Sequence, residues 1–342
     1  MERYQRQINL DEIGESGQKK LLNSHVLVVG AGGLGCPALL YLAAAGVGYI
    51  SIIDHDSISE TNLNRQVLYT PNDIGKLKVD VAKKKLEEQN SLVKIKTFST
   101  ELNLENAKEI ISKMEVVLDC TDNMATRYLL SDICEILKVP LVYAGVHRFQ
   151  GQLTVFHKNN KIAYRDLFPY EAGKISPSSC DENGVLGIVP GILGTLQANE
   201  TIKIIAGFGD VMDGKMMVLN LLNLQSQIFS IKKTKRNRIN ELIERPEYEH
   251  LCVSSNNCIS VSQFLDMDYK NLDLIDIREK HELPKSNLPP TLESEISKKD
   301  IVLLCLTGQR TKVALQKWMV KYPSKNIYSL NGGVMALNKK LT

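Results

Sequence analysis

The stretch from Val26 to Ile53 contains no charged residue, and it constrains the fold more than any other part of the chain. A run of that length could cross a bilayer. Gly30, Gly32, Gly33, Gly35 and Pro37 interrupt it, however. It reads instead as a buried strand, a tight turn, a helix and a second buried strand. Short β-rich runs then recur: HVLVVG (25–30), YISIID (49–54), VKIKTF (93–98), VVLDCT (116–121) and PLVYAGV (140–146), with helical stretches such as 37–45 and 76–88 between them. This alternation predicts an α/β fold, a mostly parallel sheet with helices on both faces. Ligands of such sheets sit at the carboxyl ends of the strands.

A chain of 342 residues is long for one ordinary domain. Beyond the basic stretch KKTKRNR (232–238) and ERPEYEH (244–250) a second pattern begins, with LIDIRE (274–279), IVLLC (301–305) and the helix-like run 311–322. Two domains are expected, 1–248 and 249–342. The basic stretch reads as a solvated strand end or linker. A net charge of +3 is too small for a dedicated nucleic-acid binder. The first ten residues carry charge and no apolar run, which predicts no secretory leader. Seven scattered cysteines, an odd number, do not suggest a disulfide framework. A cytoplasmic protein without a membrane span is expected.

Gly30-Ala31-Gly32-Gly33-Leu34-Gly35 follows a strand and opens a helix, as in the Rossmann-like dinucleotide fingerprint. Helix amides there face an anion, and Asp54, ending the next strand, suits a ribose hydroxyl. An NAD enzyme and an ATP enzyme fit this equally. Asn62-Leu63-Asn64-Arg65-Gln66 and Lys78 come next, and Arg65 and Lys78 are the charges to hold a triphosphate. Asp122, in DCTDN, follows a strand at the edge where a carboxylate would hold Mg²⁺. Taken singly, Arg65 reads equally as a surface ion pair, Lys78 as a solvated helix charge and Asp122 as a helix N-cap.

Together, RYQRQ (3–7), GAGGLGCPALLYLAAAGVG (30–48), the Asp54 and NLNRQ arrangement, and LDCTDN (118–123) resemble the MoeB/ThiF family, the bacterial relatives of ubiquitin-activating enzymes. The resemblance covers roughly residues 1–230 and displaces the NAD reading. It implies an adenylyltransferase that uses ATP and Mg²⁺ on a ubiquitin-like protein ending in Gly-Gly. It further implies that Asp54 holds ribose and Gly33 lies against the nucleotide, that Asn62, Arg65 and Lys78 contact phosphates, and that Asp122 holds Mg²⁺. Arg6 would reach the ATP site of a neighbouring subunit, so a homodimer is implied.

Cys180 lies in the turn-rich segment SPSSCDENG (176–184). A cysteine is more often buried filler, but the family places one here that can link covalently to the activated carboxyl end. Cys36, Cys120 and Cys134 read as packing residues. Many family members also bind zinc through two Cys-x-x-Cys pairs. The first pair would fall at Ala163 and Asp166, and the second near His250 and Cys252. No zinc is expected, which leaves this region to be held by packing alone.

In the second domain a strand runs into Cys305-Leu306-Thr307-Gly308-Gln309-Arg310 and then a helix. A thiolate there is stabilised by amides and helix dipole, and Arg310 adds charge at the rim. Four residues between Cys305 and Arg310 make a ring suited to one sulfur atom, so the loop resembles that of a rhodanese, with LIDIRE and LNGGVMAL (330–337) in support. The segment from Arg278 to Asp300 is short for that family. The fusion implies that a Cys305 persulfide delivers sulfur to the activated carrier, Cys180 receiving the acyl group, with a cysteine desulfurase as a possible sulfur source. The carrier favoured by this fusion is the molybdopterin-synthase small subunit. The thiamin-pathway carrier and a non-catalytic docking platform are the alternatives.

Overall fold

A computed structural model describes residues 1–159, 162–170, 184–248, 257–267, 271–278, 282–306 and 308–341. The chain divides into two units, Met1–Tyr248 and Glu249–Thr342. Among the described residues no helix is long and apolar enough to cross a membrane.

The first unit runs α1 (Gln5–Ile8), α2 (Gly14–Asn23), β1 (His25–Val29), α3 (Gly35–Ala45), β2 (Tyr49–Ile53), α4 (Lys78–Gln89), β3 (Lys94–Phe98), α5 (Ala107–Ile111), β4 (Val116–Asp119), α6 (Met124–Leu137), β5 (Leu141–His147), β6 (Gln150–Phe156), α7 (Tyr164–Leu167), α8 (Ile188–Ala206), β7 (Lys215–Asn220) and β8 (Gln225–Ser230). The uncharged stretch of the sequence becomes β1, a turn, α3 and β2, as its punctuation predicts. Strand order is β3-β2-β1-β4-β5-β6-β7-β8. Side chains of β1 alternate between two cores: Val26 and Val28 pack with α3 and α8, while Leu27 and Val29 pack with α5 and α6. A strand covered on both faces needs apolar residues at every position. Each such side chain contributes about 1.5–3 kcal/mol on burial.

Pairing is parallel from β3 to β5 and antiparallel from β5 to β8. The reversal begins at a tight turn in which His147 pairs with Gln150 across Arg148, whose φ of 53° is left-handed. So short a connection can return a chain only antiparallel.

The region around residues 163–168 and 231–248 is not held by packing alone, and that expectation is corrected. The Asp166 carboxylate accepts from the Ala163 amide at 2.9 Å, the Thr234 amide at 3.0 Å and the Thr234 hydroxyl at 2.6 Å. Burial alone would raise its acid, but these donors pull it below the usual carboxylate range. Arg165 is held between Asp132 at 2.6 Å and Glu247 at 2.7 Å, and Tyr248 also donates to Asp132. Arg236 and Arg238 both reach Glu135 on α6. Part of the basic stretch is therefore engaged with a buried carboxylate. A buried carboxylate without such partners would cost several kcal/mol, so these charges come together as a set.

The second unit contains β9 (Cys258–Ile259), α9 (Val261–Asp266), β10 (Leu272–Asp276), β11 (Asp300–Leu304), α10 (Gln309–Lys321), β12 (Asn326–Leu330) and α11 (Gly333–Leu341). Its sheet is parallel throughout, in the order β10-β11-β12-β9. Leu272, Leu274, Val302, Leu304 and Leu330 pack on one face with Phe264 and Leu337. Ile275, Ile301, Leu303 and Ile327 pack on the other with Leu315 and Trp318 of α10.

Candidate active sites

In the first unit the strand order reverses between β1 and β4, since β1 is followed by β2 on one side while β4 lies on the other. A crevice opens outside the carboxyl ends of strands at such a point. Gly30 ends β1 there with φ +93°, and a Cβ at that position would stand 2.6 Å from the carbonyl oxygen of Cys120 at the end of β4. Only glycine permits both the left-handed backbone and the close approach.

The site residues gather around this turn. Asp54 follows β2; its Oδ2 accepts from the Ala31 amide at 2.7 Å and its Oδ1 from the Asp56 amide at 2.8 Å. Each oxygen keeps a further lone pair for a ribose hydroxyl. Asn62 Oδ1 accepts from the Ser59 amide at 3.1 Å and so shapes its own turn. Arg65 donates to Thr61 O at 2.9 Å, and its stem passes the glycine turn, with Cγ 3.5 Å from a Cβ built on Gly33. Lys78 opens α4, is buried, and its Nζ lies 2.7 Å from Asp56 Oδ2. It is therefore not a solvated helix charge.

Asp122 is exposed at the carboxyl end of β4. The N-cap of α6 is Asn123, whose side chain accepts from Thr126 N at 2.8 Å. The capping role that competed for Asp122 therefore belongs to its neighbour. Behind it Asp119 is fully buried, accepting from the Thr121 amide and hydroxyl, and burial raises its acid while Arg127 opposes that rise.

This crevice fits ATP on two observations. Gln66 is buried and its Oε1 has no hydrogen-bond partner among the described residues. Its Nε2 stands 3.5 Å from where a Cβ on Gly32 would lie, and a Cβ on Gly33 would stand 3.2 Å from Pro190. The two glycines thus leave a narrow cradle beside an unsatisfied polar group. For Mg²⁺ the exposed oxygens of Asp122 are hard donors of the right kind.

Arg6 is exposed on α1. The neighbouring Tyr4 is buried, and its hydroxyl accepts from Asn90 Nδ2 at 2.9 Å, which anchors the RYQRQ segment to the body of the unit. Cys180, His250 and Cys252 lie outside the described residues. Cys36, Cys120 and Cys134 are buried; burial pushes the Cys36 thiol up to about 12 and raises the other two as well. Such thiols stay protonated and serve as packing.

In the second unit Cys305 follows β11 and is buried. Its Sγ accepts from the Gly308 amide at 3.1 Å, and Gly308 itself has φ +87° at the start of α10. A Cβ on Gly308 would stand 2.6 Å from Leu330 O, so the loop needs glycine to close over the sulfur. The LNGGVMAL segment seats the loop from below, with Val334 N donating to Cys305 O at 2.8 Å and Met335 N to Leu306 O at 3.1 Å. The Thr311 hydroxyl bonds to Gly308 O and to Ser329, bracing the turn. Arg310 is 56% exposed and pairs with Glu282 at 2.6 Å, out on the rim.

Sequence reasoning missed Asp56, although the Asp-x-Asp spacing after β2 was a visible signal. It also missed Tyr4, whose partner Asn90 lies far off in sequence, and Arg278, although its partner Asp276 stands only two residues before it.

The ThiF family model matches residues 4–240. "Adenylyltransferase and sulfurtransferase MOCS3" of Culex quinquefasciatus is 49% identical over 218 residues, covering 64% of this chain and 50% of that protein. The protein of the same name from Aedes aegypti is 41% identical over 305 residues, 85% of this chain and 67% of that protein. MOCS3-2 of Drosophila pseudoobscura pseudoobscura is 36% identical over 374 residues, 98% of this chain and 82% of the relative. The chain thus spans about half the length of the Culex relative and more of the others. Among solved structures, E. coli MccB superposes with a TM-score of 0.61 at 20% identity, covering 72% of this chain and 75% of that one. PaaA superposes with a TM-score of 0.58 at 24% identity, covering 68% and 74%. At such identities these two speak for the fold alone.

Proposed function

This chain belongs to the ThiF family, and from that premise we propose that it adenylylates the C-terminal Gly-Gly carboxylate of a ubiquitin-like sulfur carrier and then passes sulfur to it. The observation that supports the reading is the glycine turn Gly30–Gly35 at the reversal of strand order, with Asp54 bonded to Ala31, Arg65 beside Gly33 and Lys78 on Asp56, and with Asp122 after the adjacent strand. The names of the relatives, adenylyltransferase and sulfurtransferase, support it.

ATP would supply the α-phosphate that the carrier's carboxylate attacks, with pyrophosphate leaving. A carboxylate is already a nucleophile, so the protein has to position and to neutralise charge rather than abstract a proton. Asp54 would bind ribose, Gln66 and the Gly32–Gly33 cradle would line the nucleotide, and Arg65, Lys78 and Asn62 would face the phosphates. Asp122 would hold Mg²⁺, and Arg6 would serve the site of a neighbouring copy in a homodimer. The Cys305 loop would carry a persulfide, loaded by a sulfur source such as a cysteine desulfurase. Its outer sulfur attacks the activated carbonyl and AMP leaves. Freeing the thiocarboxylate then breaks the sulfur–sulfur bond and takes two electrons from a thiol reductant. On the route proposed for Cys180, its thiol would take the acyl group from the adenylate as AMP leaves, and the outer sulfur of the persulfide would then displace the Cys180 thiolate. A reducing compartment such as the cytoplasm keeps these thiols reactive.

The carrier we favour is the molybdopterin-synthase small subunit, on the strength of the fused sulfur-handling unit. ATP–pyrophosphate exchange measured with each purified Gly-Gly carrier tests this. Exchange that depends on a carrier, strongest with the molybdopterin-synthase subunit, is expected. Carrier binding with no exchange would instead identify a docking platform.

We infer that no structural zinc is held at the first of the two expected ligand pairs. Ala163 offers no ligand atom, and the Asp166 carboxylate already accepts three hydrogen bonds. Elemental analysis of the purified protein is expected to find no stoichiometric zinc, and chelator is expected to leave its Tm unchanged. A bound zinc that survives dialysis would overturn this.

A further inference from the structure

Two arginines flank the Cys305 loop in sequence or in the sheet: Arg310 opens α10, and Arg278 follows β10. Arg310 is mostly exposed and engaged with Glu282. Arg278 is different. It follows β10, and β10 pairs in parallel register with β11, Asp276 opposite Leu304. The Ile277 amide continues that ladder by donating to Leu304 O at 2.9 Å. Cys305 therefore leaves β11 level with Ile277, and Arg278 is the next residue along, at the same carboxyl edge of the sheet. The Arg278 side chain is only 2% exposed. Asp276 grips it with a fork, Nε to Oδ1 at 2.9 Å and Nη2 to Oδ2 at 2.7 Å, and Pro284 O takes Nη1 at 2.8 Å. A guanidinium held this way cannot swing out to solvent, and its planar fork loses little further freedom on meeting an anion.

We propose that Arg278 is the cation that steadies the negative charge on the Cys305 sulfur, as thiolate and as persulfide, with Asp276 orienting it. This rests on the sulfur-carrying role proposed for Cys305. The Asp276 hydrogen bond is the main cause that raises the Arg278 guanidinium above its ordinary range, and the negative charges of Asp276, Glu282 and, least of the three, Cys305 add to it. A persulfide places its charge on the outer sulfur, farther from the Gly308 amide that serves the inner one. A second, fixed positive group is what that extra atom calls for.

Thiosulfate is a suitable probe. The Cys305 thiolate attacks its outer sulfur, a new sulfur–sulfur bond forms, and sulfite leaves with the electron pair of the broken bond. The rate of loading is read by intact mass on the full chain. Trp318, the single tryptophan, lies in α10 and reports by its emission whether the second unit is folded. Arg278→Met is expected to slow loading about tenfold, the worth of one charge-assisted contact. Arg278→Lys is expected to recover part of that loss. Arg310→Met is expected to stay within about threefold of wild type, and Asp276→Asn, which keeps the Arg278 charge but loosens its aim, is expected to fall between Arg310→Met and Arg278→Met. A purely structural ion pair predicts otherwise, because Asp276→Asn would then fall as far as Arg278→Met and Arg278→Lys would recover nothing. That result, or a larger loss in Arg310→Met than in either Arg278 variant, overturns the proposal. If Trp318 emission shows Arg278→Met to be unfolded, the comparison of Arg278→Lys with Arg310→Met decides by the same order. A wild-type protein that takes up no sulfur at Cys305 overturns the underlying reading of the loop, and this inference with it.

Discussion

Replacing Asp122 by alanine is expected to abolish carrier-dependent ATP–pyrophosphate exchange, by roughly a thousandfold, as for loss of a group that stabilises transition-state charge. The fold is expected to survive. Asp122 is exposed, and the N-cap of α6 is Asn123, so the helix keeps its cap in the variant. The Tm is expected to stay within about 2 °C of wild type, as for a surface change without structural bonds. Asp119 is not a substitute ligand, because it is buried and bonded to Thr121. Asp122→Asn separates charge from shape and is expected to lose nearly as much as alanine. Normal exchange in either variant would remove Asp122 from the metal-binding role.

Replacing Cys305 by alanine is expected to eliminate formation of the carrier thiocarboxylate while ATP–pyrophosphate exchange continues at the wild-type rate. The split follows from the architecture. Cys305 belongs to the unit Glu249–Thr342, and the nucleotide crevice belongs to Met1–Tyr248. The described cysteines of the first unit do not stand ready to replace it. Cys36, Cys120 and Cys134 are buried thiols whose acidity burial suppresses. Intact mass of the carrier's C-terminal peptide would read the exchange of one oxygen for sulfur. An unchanged thiocarboxylate yield would take Cys305 out of the reaction. Loss of both activities would show that the two units do not act independently.

Both sites are legible in the sequence to the extent that they depend on local backbone geometry. The turn at Gly30 needs a left-handed residue packed against another strand, and the loop at Gly308 needs the same. Glycine is nearly obligatory in such places, so the motif and the structure coincide. Asp54 could be found because a strand end followed by an acid is a local pattern. The antiparallel half of the sheet was harder to see. β6, β7 and β8 carry less continuous apolar character, and β8 is exposed along its whole length. The support beneath the Asp166 region was not legible at all, because Asp166 and Thr234 stand 68 residues apart in sequence.

The order of amino acids was enough to specify where the chain turns, which strands are buried on both faces, and which glycine-rich or cysteine-bearing loops can meet an anion or a sulfur. These follow from backbone freedom and apolar periodicity, which act over a few residues. The pairing of charged side chains came only with the folded arrangement, which sets Lys78 on Asp56, Arg310 on Glu282 and Arg278 on Asp276 beside the Cys305 strand end. A long cationic side chain can reach several partners. Which one it takes depends on the groups the fold brings around it, and on the cost of leaving a buried charge unmatched.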